Sequence, residues 1–210
     1  MNRRKLPLFS RLDGDDEDED QDEQEQKDES GQMLMNKMLK TRTILLSGEV
    51  NKPLAERVVR QLLLLEDSGD EPIRVLIDSP GGDVDAGYAI FDMMRFVKPR
   101  IYAVGMGLVA SAGALILLAA DKEDRIGLPN SHYLIHQPLS GMRGVATDIE
   151  IHAREIERTR SRINKLIADE TGQALEKVEK DTDRDFWMGA TEAVEYGLIS
   201  RVVSRRAEFE

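Results

Sequence analysis

The chain has 210 residues, 40% of them hydrophobic and only 5% aromatic, with no cysteine and a formal net charge of −11. That length implies one domain, or one domain with a tail, and the missing cysteine excludes a disulfide framework, a cysteine nucleophile and thiolate metal sites. The longest apolar run, Ala114 to Ala120, is far short of the roughly 20 residues that span a bilayer, and no secretory signal opens the chain, so a cytoplasmic protein with no membrane partner is expected.

Charge is unevenly spread. Residues 1–12 carry Arg3, Arg4, Lys5 and Arg11 and no acid, whereas residues 13–30 hold twelve acids against Lys27 alone. Like charges repel there, and no apolar burial offsets the entropy of ordering. Residues 1–30 therefore read as a disordered acidic extension or a propeptide, and residues 31–210 as the folded domain. That domain sums to only −4 and shows no basic patch, so nucleic acid is not an expected partner.

From residue 40 the pattern alternates between strands and helices. Arg42 to Gly48 reads as a strand, and Pro53 to Glu66 as a helix with Leu54, Val58, Leu62 and Leu65 on one face. Ile73 to Ile77 is a strand closed by the turn Pro80-Gly81-Gly82, Ala86 to Val97 a helix stopped before Pro99, and Ile101 to Val104 a strand. Ala110 to Ala120 is apolar on every side, which predicts a helix buried all round. Arg125 to Leu128 and Tyr133 to Ile135 are strand-like. Thr147-Asp148-Ile149-Glu150 is a capping box that should open a long helix ending at Gly172. Thr171 and Thr191 can cap two further helices, Gly197 ends the last, and Leu198 to Val203 is a terminal strand. Such alternation implies an α/β domain with mostly parallel pairing. Neither a dinucleotide fingerprint nor a nucleotide-binding P-loop is present, so the chain should not hydrolyse nucleotide itself.

Four features could carry chemistry. Ser111 lies where an extended segment meets the buried helix, so its hydroxyl would stand beside free backbone N–H groups able to hold an oxyanion. The same serine would serve as a plain cap among small residues, and its immediate neighbours favour that reading. It is not a G-x-S-x-G elbow, because Val109 occupies the place of the first glycine. His136 ends a strand, where catalytic groups emerge in α/β folds. His132 and His136 form an H-x-x-x-H pair without a third ligand, so no metal is expected, and no cofactor either. His152 falls on the long helix as a polar surface or interface residue. Asp181, Asp183 and Asp185 offer carboxylates that could orient a histidine, or simply form a solvated connection. Gly81 and Gly82 could turn N–H groups outward, or make an ordinary turn.

In this order these features resemble the proteolytic subunit of the Clp protease family. The resemblance rests on Asp78 to Gly82, Gly107 to Ala114, Leu128 to Ser131 with Ile135 to Pro138, Ala146 to Ile156, Asp181 to Asp185, and Ala193 to Leu198, and it spans about residues 40–204. It implies a crotonase-like α/β fold with repeated β-β-α units and a protruding handle helix after Gly144. It implies a serine endopeptidase in which Ser111 is the nucleophile, His136 the general base and Asp185 the orienting acid. The backbone N–H groups of Gly82 and Ala112 would form the oxyanion hole, and Asp183 with Arg184 would lie at a ring–ring interface. The implied assembly is two heptameric rings stacked as a tetradecamer. An AAA+ unfoldase of ClpX, ClpA or ClpC type would feed it unfolded proteins.

Three stretches depart from that family pattern. The acidic run replaces an axial segment that normally carries aliphatic and aromatic residues. Arg74 and Leu76 stand where tyrosines often line the unfoldase's docking pocket, and Leu139 to Val145 varies between its glycines. A catalytically silent paralogue in a mixed ring is the alternative, and the intact Ser111, His136 and Asp185 argue against it. A crotonase-type acyl-CoA enzyme would share the fold but needs no such serine.

Overall fold

The computed structural model describes residues 33–208, so the predicted acidic extension lies outside the described residues. The chain divides into two units, Met1–Thr41 and Arg42–Glu210. In the first, residues 33–40 form a helix whose end is closed by the Thr41 hydroxyl, which donates to the carbonyl of Met38 at 2.8 Å.

The second unit is an α/β domain. Its elements run β1 (Thr43–Ser47), α1 (Lys52–Asp67), β2 (Ile73–Ser79), α2 (Val84–Phe96), β3 (Ile101–Ala110) and α3 (Ala112–Leu117). They continue with β4 (Arg125–Gly127), β5 (His132–Ile135), α4 (Ala146–Thr171), α5 (Leu175–Asp181), β6 (Phe186–Gly189), α6 (Ala190–Tyr196) and β7 (Arg201–Val202). The first half alternates single strands and helices, and β4, β5 and α4 follow as a β-β-α unit. Strands β1-β2-β3-β4-β7 form a parallel path, β5 joins β3 in parallel, and β6 closes the edge antiparallel to β5.

Local chemistry explains the early elements. Asn51 caps α1 by accepting from the Leu54 N–H at 2.9 Å, Pro53 sits in its first turn, and Leu54, Val58, Leu62 and Leu65 are buried at the predicted spacing. In β2 the side chains of Ile73, Val75, Ile77 and Ser79 are buried while those between them are half-exposed, the period of two expected for a strand. Asp83 caps α2, accepting from the Ala86 N–H at 2.7 Å.

Strand β3 runs six residues beyond the predicted Ile101 to Val104 because it changes partner along its length. Ala103 to Gly105 pair with β4, and Leu108 to Ala110 pair with β5. Between the two pairings Gly107 adopts φ +55°, and the Asp78 carboxylate accepts from the Leu108 N–H at 3.0 Å. A side chain at Gly107 would collide with that carboxylate, so glycine is required for the bend.

Other boundaries also move. Helix α3 is shorter than predicted but buried on all sides. The predicted capping box of α4 does not form: the cap falls two residues earlier, at Val145 with no side-chain bond, and the helix begins at Ala146, which leaves Thr147 inside the first turn. Gly172 ends α4 at φ +78° and Gly197 ends α6 at φ +92°, both as predicted. Thr171 and Thr191 lie within helices, and α5 and α6 start behind Ala174 and Gly189 instead. The terminal strand shrinks to two residues, and β6 was not anticipated. Among the described residues no helix is long and apolar enough to cross a membrane.

Candidate active site

The site forms where β3 and β5 end. Ser111 follows the last residue of β3, and its N–H donates to the Leu134 carbonyl of β5 at 2.8 Å. One residue on, the chain enters α3. The reversal is achieved at Ser111 itself, which adopts φ +54° and ψ −120°. That is the first corner of a type II′ turn, ordinarily a glycine position, and such backbone strain typically costs about 1–3 kcal/mol. The chain thus turns sharply from strand to helix at a serine, without the glycine pattern that advertises such a corner.

The histidine arrives by register. Strands β5 and β6 pair antiparallel as His132 with Gly189, Tyr133 with Met188, Leu134 with Trp187 and Ile135 with Phe186. The next pair in that register is His136 with Asp185. Their side chains meet with Nδ1 of His136 3.0 Å from Oδ1 of Asp185, and Nε2 lies 2.8 Å from the Ser111 hydroxyl. A carboxylate can only accept, so Nδ1 carries the proton and donates to it. Nε2 is then the lone-pair nitrogen and accepts from Ser111. His136 is largely buried, while the Asp185 side chain is 62% exposed in the protomer.

Gly81 and Gly82 sit against the serine. An isolated parallel bridge joins Val50 to Gly82, with the Val50 N–H donating to Gly81 and the Asp83 N–H donating to Val50, each at 2.8 Å. Alternation along the chain turns the Gly82 N–H away from Val50. The Gly81 N–H is occupied by the Ser79 hydroxyl at 3.1 Å, so only the second glycine offers its donor. A Cβ at Gly81 (φ +89°) would fall 2.6 Å from the Ser111 Cβ and 2.9 Å from the Ala112 nitrogen, and one at Gly82 would strike the Val50 carbonyl. Both glycines are thus needed for closeness, and the first seats the loop on Ser111. The Ala112 N–H is the first of α3 and has no intrahelical acceptor.

Beside these groups lies a cleft of about 30 Å³, walled by Val84, Leu115, Leu118, Pro138, Ile163 and Ile167. The last two come from α4, so the long helix forms one wall of the site. A separate recess of about 250 Å³ opens on the other part of the sheet, with Leu76, Val104, Leu128 and Val203 as its floor and Arg74 and Arg205 beside them. This brings together the two positions, Arg74 and Leu76, that depart from the family pattern.

The remaining predicted residues fall as follows. Asp183 accepts from Arg160 of α4 at 3.2 Å, and its carbonyl accepts from the Gln137 side chain at 2.6 Å. Arg184 is exposed. Asp181 accepts from Lys177 and from the Tyr196 hydroxyl, away from His136. His132 lies at the opposite end of β5 from His136, and His152 meets the Ser140 hydroxyl at 2.8 Å. Among the described residues no group of three or more potential ligands could hold a metal.

A serine, an imidazole and a carboxylate linked in that sequence at the ends of strands, beside an unpaired helix N–H, have the layout of a serine hydrolase site. The comparisons with known proteins make this specific. The Clp protease family profile matches residues 26–206. The chain is 65% identical over 182 residues to the ATP-dependent Clp protease proteolytic subunit 2 of Treponema pallidum, covering 86% of this chain and 92% of that one. It is 51% identical over 171 residues to the proteolytic subunit 3 of Rhizobium etli, covering 81% and 88%. The solved structure of a ClpP1 variant from Listeria monocytogenes matches with TM-score 0.79 at 50% identity, over 84% of this chain and 99% of that chain. The chain belongs to the Clp protease family, as a proteolytic subunit and a serine peptidase.

Proposed function

We propose that Ser111, His136 and Asp185 are the catalytic triad, and that the Gly82 and Ala112 N–H groups form the oxyanion hole. The observation that carries this is the continuous contact from Asp185 through His136 to Ser111, ending at the start of α3. His136 takes the Ser111 proton as Oγ attacks a peptide carbonyl, and Asp185 stabilises the imidazolium that forms. The two N–H groups receive the oxyanion. His136 then protonates the leaving amine, and water attacks the acyl-enzyme by the reverse path. General-base assistance contributes roughly 10²–10⁴-fold and each oxyanion donor about 3–4 kcal/mol. The apolar walls of the adjoining cleft suit an aliphatic side chain on the acyl side of the cut bond, and its small volume requires the α4 wall to give way as the side chain enters.

A fluorophosphonate probe tests the assignment. We expect one label per chain, at Ser111 by peptide mapping; a label elsewhere, or none, overturns it. A label at Ser111 also excludes a silent paralogue.

We further infer a ring-shaped assembly, two heptamers stacked as a tetradecamer, served by an AAA+ unfoldase in the cytoplasm, with unfolded polypeptides as substrates and residues 1–30 outside the peptidase domain. The ATP-dependent naming of the relatives and the exposed apolar residues around the start of α4, among them Leu139, Val145 and Ile151, support a partnered surface there. Asp183 and Arg184, the two residues just before the triad acid, would meet the opposite ring. Asp183 already has Arg160 as a partner within the chain, which leaves Arg184 as the outward charge. Arg184→Ala is expected to shift the native mass from double to single rings and to lower peptidase activity in parallel. A stable double ring with full activity would refute that coupling.

A further inference from the structure

Helix α3 carries Ser111 at its start, and its first turn is Ala112, Gly113 and Ala114. Such a smooth surface packs tightly but resists rotation about the helix axis weakly, because apolar contact is not directional. Directional bonds must set the axial position. At the N-terminal end one is the Ser111 N–H to Leu134. At the other end α3 stops at Leu117 with no basic residue in its last turn, and the carbonyls of the next three residues, Leu118 to Ala120, lie beyond its own ladder.

Two arginines from elsewhere cover that end. Arg95 of α2 donates from Nη2 to the Leu118 carbonyl at 3.1 Å and from Nε to that of Ala119 at 3.2 Å. Arg125, which opens β4, donates from Nε to the Ala120 carbonyl at 2.8 Å. Three successive carbonyls just past the end of α3 are thus held by two cations, the sign that a helix C-terminus favours. Glu170, near the end of α4, joins the two: one carboxylate oxygen bonds Arg95, the other bonds Arg125, and the Glu170 carbonyl accepts from Arg125 Nη1 at 2.9 Å. The Arg125 side chain is 1% exposed, so Glu170 is the countercharge of a buried guanidinium.

We propose that Arg95, Arg125 and Glu170 form a clamp that positions the nucleophile. The guanidiniums grip the three carbonyls that follow α3, and Glu170 locks both to the end of the long helix. The clamp holds the Ser111 corner at its strained angles and its hydroxyl on His136. These are positioning residues; none touches the reacting atoms. The proposal rests on Ser111 being the nucleophile.

The test uses the full-length assembled protein. Glu170→Gln keeps the shape of the side chain and removes its charge. It is expected to lower kcat for a fluorogenic peptide about tenfold with KM within about twofold, since a small misplacement of a reacting group acts on kcat. Fluorophosphonate should still label Ser111 to one per chain, but about tenfold more slowly. Glu170→Asp should recover part of the rate. Arg95→Gln removes one arm without stranding the buried cation and should lower kcat about threefold; it decides the matter if Glu170→Gln does not assemble. A lower melting temperature with unchanged kcat and labelling rate would overturn the clamp and leave a purely structural tie. Label on a residue other than Ser111 in the unmodified protein would instead overturn the nucleophile assignment.

Discussion

Ser111→Ala is expected to lower kcat on the order of 10⁶-fold, the scale seen when a triad nucleophile is lost, while the native mass of the assembly stays unchanged. Alanine keeps the small volume that α3 and the Gly81 loop require around this position. Ser111→Gly should be equally inactive but more stable than Ser111→Ala, because glycine adopts φ +54° without strain; a gain of about 1 kcal/mol is the scale for relieving such a conformation. Peptide hydrolysis, native mass and melting temperature on the three proteins measure both effects. Full activity in either variant would sink the assignment of Ser111. Equal melting temperatures for the two variants would show that the corner stores no strain.

The second large effect is Asp185→Asn. Removing the charge withdraws the stabilisation of the imidazolium, and the amide can donate to Nδ1, which would turn the proton to Nε2 and leave nothing to accept from Ser111. Losing the charge in a buried triad costs about 10⁴-fold. The Asp185 side chain is 62% exposed in the protomer, so solvent should screen part of its field, and a loss of about 10³-fold is expected if the face stays open. A loss nearer 10⁴-fold would mean that the assembly covers it. Measuring kcat at low and high salt separates these cases, since salt screens an exposed pair more. A variant with the unmodified kcat would remove Asp185 from the triad.

The parts of the site differ in how far the sequence displayed them. Pro80-Gly81-Gly82 and the serine among small residues stood out as candidates, although the residues around Ser111 favoured a plain cap and the glycines an ordinary turn. The layout of strands and helices followed from periodicity, down to the buried face of α1 and the glycine stops of α4 and α6. The pairing of His136 with Asp185 was not visible in periodicity, since it depends on β6. Phe186-Trp187-Met188-Gly189 is too short to show alternation, and the acidic run before it reads as solvated loop. Only the family resemblance selected Asp185 from its neighbours. The clamp left no signal at all: Arg95, Arg125 and Glu170 are scattered, and each is ordinary in its own segment. The Thr147 box failed for the opposite reason, a local motif outweighed by a helix that starts one residue before it.

The β5–β6 ladder has one more consequence. Its final bonded pair is Ile135 with Phe186, and the histidine and the carboxylate are the first residues beyond it. Everything between them, including α4 and α5, leaves and returns through one pinned gate. Changing the length of a closed excursion costs little once its ends are fixed, because closure entropy grows only logarithmically. Length can therefore change most cheaply in the exposed stretch from Leu139 to the first turns of α4, where a designer could graft a different surface; further along, Ile163, Ile167 and Glu170 tie the helix to the site. Inserting one residue into β6 would be far less forgiving: the ladder would slip by one step, and the carboxylate would turn to the opposite face of the sheet.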